Sequence, residues 1–132
     1  MTQIYVNLPV KDLERSKKFF SALGYEFNPQ FSNEKGACLI ISDGIYAMLL
    51  TEPFFQDFTK KRVADSSSTT ETIVALGVDS KEEVDRLVET ALASGGSPSN
   101  ETMEEGPMYV RSFQDPDSHL WEIVYMDEAA FA

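Results

Sequence analysis

The chain has 132 residues, 42% hydrophobic and 25% charged, the proportions of an ordinary globular protein long enough to bury a core. A formal net charge of −11 opposes binding to nucleic acid or an anionic membrane and attracts cations. The single cysteine, Cys38, excludes an intrachain disulfide and reads as a small core residue within ACLII. No basic leader precedes an apolar stretch, and no apolar run approaches the roughly 20 residues of a membrane span, so a cytoplasmic protein is expected.

In chain order, residues 3–10 (QIYVNLPV) alternate as a strand. Asp12 suits a helix N-cap; Leu13, Phe19, Phe20 and Leu23 give the helix an apolar face, and Gly24 suits its end. YEFNPQFSN reads as a strand running into a turn. GACLIIS and IYAMLLTE read as strands of a hairpin closed by Asp43-Gly44. Residues 53–71 then hold Phe54, Phe55 and Phe58, three basic residues (Lys60, Lys61, Arg62) and the polar run DSSSTT. They read as a short aromatic helix or lid followed by a flexible linker. TIVALGV is a strand. SKEEVDRLVETALASG is a helix capped by Asp79 or Ser80, with Val84, Leu87, Val88, Ala91 and Leu92 as its buried face. SPSNETME is a weak strand or loop, and MYVRSFQ and HLWEIVYM are strands around the turn residues Asp115 to Ser118.

The order strand–helix–strand–strand–strand thus occurs twice. Placing Val10 on Val78 aligns Tyr5 with Ile73 and Asn7 with Ala75. One helix cannot cover both faces of its sheet, so two copies are expected to close on each other. The expected organisation is a single domain, 1–132, of module one (1–52), a lid and linker (53–71) and module two (72–132).

NLPVKDLERSKKFFSALGY near the start and QDPDSHLWEIVY near the end resemble the vicinal oxygen chelate superfamily, which includes glyoxalase I, extradiol dioxygenases, fosfomycin-resistance enzymes and bleomycin-resistance proteins. The resemblance spans the chain. It implies an α+β fold of two βαβββ modules forming a half-open, barrel-like cleft, and a homodimer. It also implies metal ligands, His or Glu, at four strand positions. These fall here on Tyr5, Leu49, Ile73 and Glu122. Only Glu122 suits a hard or borderline cation, and His119 is the sole histidine, so no metal cofactor is expected. Strand alternation would turn His119 away from Glu122.

A four-residue turn at 115–118 would set Arg111 opposite Glu122 inside the cleft, near Tyr5, as a fixed salt bridge or as a pair that binds a ligand's polar groups. Tyr5, Asn7, Leu49, Ile73, Phe113 and Leu120 would line that cleft, with Phe54, Phe55 and Phe58 over it. Trp121, one place from Glu122, would pack on the helix. A largely apolar site with a few polar groups describes small-molecule binding. The first expectation is a metal-independent protein that sequesters or senses a small, cationic or aromatic ligand. The alternatives are a metal-free enzyme with Glu122 as general base, a glyoxalase- or dioxygenase-like enzyme with a metal at a non-family position drawn from His119, Asp115, Asp117 or Cys38, and a scaffold.

Overall fold

The computed structural model describes residues 2–127 and divides between Asp65 and Ser66 into two compact units. The fold is α+β, with one mixed sheet in each unit and no closed barrel among the described residues.

The first unit runs β1 (Ile4–Val10), α1 (Leu13–Ala22), β2 (Glu26–Asn28), a 3-10 turn (Pro29–Phe31), β3 (Gly36–Ser42), β4 (Ile45–Thr51) and α2 (Glu52–Gln56). Asp12 caps α1 by accepting the Arg15 N–H at 3.1 Å, and the chain leaves the helix through Gly24 at φ +100, a left-handed conformation that suits glycine. The strand order is β1-β4-β3-β2, with β1 parallel to β4 and the other pairs antiparallel. Asp43-Gly44 closes the β3–β4 hairpin, with Ser42 directly opposite Ile45. One sheet face carries Leu8, Val10, Ala47, Leu49, Ala37 and Leu39, all buried under Leu13, Phe19 and Phe20 of α1. The other carries Tyr5, Asn7, Tyr46 and Met48.

The second unit runs β5 (Ile73–Gly77), α3 (Lys81–Ala93), β6 (Ser97–Pro98), β7 (Met103–Glu105), β8 (Met108–Gln114) and β9 (Leu120–Met126). Ser80 caps α3 by accepting the Glu83 N–H at 3.1 Å. The order β5-β9-β8-β6 repeats the first sheet, with β5 parallel to β9. The weak segment 97–105 resolves into two short edge pieces, both paired with β8. Val84, Leu87, Val88 and Ala91 of α3 pack with Phe113, Trp121 and Ile123 into this unit's core. The expected flexible linker is anchored where it enters the unit: the Ser66 hydroxyl donates to the Asp117 carbonyl at 2.6 Å.

Candidate functional site

The β8–β9 turn decides what the second sheet presents. Asp115 N–H donates to the His119 carbonyl at 3.0 Å and Ser118 N–H to the Asp115 carbonyl at 2.9 Å, with Ser118 at φ +69. This is a tight turn followed by a left-handed residue, one residue longer than a plain four-residue loop. Gln114 therefore faces Leu120, Ser112 faces Glu122, and Arg111 faces Ile123. A shift of one residue exchanges the faces of a strand, so the expected Arg111–Glu122 pair does not form. His119 precedes the first residue of β9, so strand alternation does not govern its direction either.

Buried Asp115 locks the turn. One carboxylate oxygen accepts the N–H groups of Asp117 at 2.9 Å and His119 at 3.0 Å, and the other accepts Trp121 Nε1–H at 3.0 Å. Burial pushes this carboxyl upward, while the His119 charge and the Trp121 and backbone N–H groups act against it.

Arg111 lies on the α3 side. Its guanidinium reaches Asp85 at 3.0 Å and Glu89 at 2.6 Å, and Asp85 also accepts the Tyr109 hydroxyl at 2.6 Å. The Tyr109 hydrogen bond is the main cause holding Asp85 below its ordinary value; Arg111 adds to it and burial opposes it. The same bond raises Tyr109, and Glu89 first, then Asp85, raise Arg111. Phe113 is also turned to the core: it is 1% exposed and stacks on Trp121 at 6.4 Å and 4°. Neither Arg111 nor Phe113 belongs with Glu122. Trp121 is core, as its position next to Glu122 requires.

Glu122 stands on the sheet face away from α3. Its neighbours there are Ala75 on β5 and Ser112 on β8, with Ile73 and Leu120 one pleat along. Ser112 Oγ accepts the Asn100 N–H at 2.9 Å and donates to the Asn100 carbonyl at 3.2 Å, and Gln114 Nε2 donates to Pro98 O at 3.0 Å. Ser112, directly opposite Glu122, is thus committed to Asn100. Glu122 as a residue is half-buried, and among the described residues its carboxylate has no hydrogen bond or ion pair.

In the first unit Tyr5 and Asn7 share the face away from α1, as expected, but Leu49 does not. It is 0% exposed and pairs with Leu8 on the α1 side. The parallel pairs explain the error. Val6 and Leu8 face Ala47 and Leu49, just as Val74 and Leu76 face Trp121 and Ile123, so the counterpart of Glu122 is Met48. Alternation within IYAMLLT, with Ala47 and Leu49 inward, carried that signal, and it also marks Tyr46. Phe54 and Phe55 are half-buried on α2, while Phe58 is 70% exposed and meets Phe54 edge-on at 5.1 Å. Lys35 Nζ lies 5.9 Å from the Phe54 ring centre.

For the metal that the resemblance implies, the corrected positions offer a phenol (Tyr5), a thioether (Met48), a hydrocarbon (Ile73) and one carboxylate (Glu122). Such a set does not fit a hard or borderline divalent ion. Among the described residues no three His, Cys, Asp or Glu side chains cluster to hold one. Cys38 is buried, and burial raises its thiol.

Residues 2–42 match the family model of the bleomycin resistance protein-like N-terminal region. Similar solved structures include hypothetical protein SA1046 from S. aureus, with 29% identity and a TM-score of 0.79 over 95% of this chain and 94% of that one. A glyoxalase-related enzyme from Fulvimarina pelagi has 24% identity and a TM-score of 0.78 over 95% and 88%. The fosfomycin resistance protein FosX from Listeria monocytogenes has 21% identity and a TM-score of 0.70 over 100% and 98%. No curated protein sequence matches the chain. No helix among the described residues is long and apolar enough to cross a membrane.

Proposed function

We propose that this member of the vicinal oxygen chelate (glyoxalase/bleomycin resistance/dioxygenase) superfamily binds a small molecule without a metal, and that Glu122 accepts a cationic or hydrogen-bond-donating group of that molecule. One observation carries the reading. The Glu122 carboxylate has no internal partner among the described residues and stands on a mostly apolar face, while Ser112 directly opposite is engaged with Asn100, so the carboxylate is available to an outside donor. Ile73, Ala75 and Leu120 give it an apolar surround, and Ile73 is 48% exposed. The net charge of −11 draws cations towards it.

Amide shift mapping with benzylammonium and its neutral counterpart benzyl alcohol tests this. Benzylammonium is expected to move residues 73–76, 112 and 122, with benzyl alcohol much weaker there. Equal effects of the two probes, or shifts confined to other residues, contradict a role for the Glu122 charge.

A further inference from the structure

Tyr5 and Tyr46 are direct partners on the parallel β1–β4 pair, and their rings lie 4.8 Å apart, centre to centre, at 16°. The stack stands on the face away from α1. Tyr5 is 47% exposed, and its hydroxyl donates to Gln3 Oε1 at 3.3 Å. One pleat along, Asn7 is the partner of Met48. Asn7 Nδ2 donates to the Tyr5 carbonyl at 3.2 Å, which leaves its second N–H and its Oδ1 for an outside group.

Two nearly parallel rings are extended at little conformational cost by a third flat ring, and the Met48 thioether also packs well beside aromatic edges. The patch offers two phenol rings, a thioether and an amide and no ionic side chain, so no ion pair there favours a charged ring over a neutral one. We infer that the Tyr5–Tyr46 stack seats a neutral planar aromatic ring, with Asn7 hydrogen-bonding a polar substituent on its edge; the inference rests on the small-molecule reading above.

The test is an amide shift titration with 2-naphthol and with 2-decalol, its saturated counterpart. 2-Naphthol is expected to move residues 5, 7, 46 and 48, and 2-decalol to bind about tenfold more weakly. Tyr5→Leu and Tyr46→Leu, which keep apolar bulk and lose one ring, are expected to weaken 2-naphthol about tenfold, whereas Tyr5→Phe stays within about twofold. Equal binding of the two probes, or unchanged binding to both Leu variants, overturns the inference. If benzylammonium binds beside Glu122 while 2-naphthol binds nowhere, this inference fails alone. If neither probe binds the natural chain, the small-molecule reading fails and takes this inference with it.

Discussion

Arg111 and Glu122 stand on opposite faces of one hairpin: Arg111 is tied to Asp85 and Glu89 of α3, and Glu122 faces away with no partner among the described residues. The charges that a shorter turn would have joined are kept apart. One serves the docking of a helix, and the other has no internal partner among the described residues.

Arg111→Met should therefore lower stability and leave the Glu122 face unaltered. Both acidic partners are largely solvated, so the expected loss is about 1 kcal/mol in chemical denaturation. Loss of benzylammonium binding in a folded Arg111→Met protein would contradict this placement.

Phe113→Ala should act as a core deletion, destabilising by about 3–5 kcal/mol, because the ring is buried against Trp121. Asp115→Ala should also destabilise. It strips an acceptor from Trp121 Nε1–H and two backbone N–H groups, at about 1–3 kcal/mol for the first buried donor left unpaired. Denaturation followed by Trp121 fluorescence reads both changes.

The Tyr109–Asp85 bond should leave a mark at each end of the pH scale. Asp85 is held below its ordinary 3.8, so its contribution is present above that value and is lost as pH falls through the lower folded value. Tyr109 is raised above 10.0, so its contribution is present below pH 10 and is lost as pH rises through the higher folded value. Ultraviolet titration should show a late Tyr109 titration that Asp85→Asn moves earlier. A titration unchanged in that variant would contradict the assignment.

Titration with zinc, nickel, manganese or iron(II) should give no tight equimolar binding, since Tyr5, Met48 and Ile73 supply no ligand set to join Glu122. Tight binding of one ion per chain would mean that the positions are misassigned.

Much of this architecture was legible because it is local. Asp12 and Ser80 announce their helices by capping chemistry, Asp43-Gly44 announces a two-residue hairpin, and the apolar face of α3 repeats at helical spacing. The site was less legible because its side chains depend on strand parity. Asp115 to His119 has turn chemistry under either loop length, and one residue decides whether Arg111 or Ser112 meets Glu122. The sequence held a resolving clue. Phe113, Trp121 and Ile123 must share the core face, which forces Arg111 onto the α3 side. Leu49 failed likewise: Ala47 and Leu49 face inward together, leaving Tyr46 and Met48 for the other face. The anchoring of Ser66 depends on a contact 51 positions away, which no local pattern announces.

The most direct test of the central claim is calorimetric titration of benzylammonium into the natural chain and into Glu122→Gln, with the stability of both measured alongside. The structure predicts that Glu122→Gln is at least as stable, because no internal partner among the described residues is lost, and that it binds benzylammonium at least about tenfold more weakly, the loss expected for a charge-assisted bond. Equal binding by the two proteins, or a marked loss of stability in Glu122→Gln, would contradict the account.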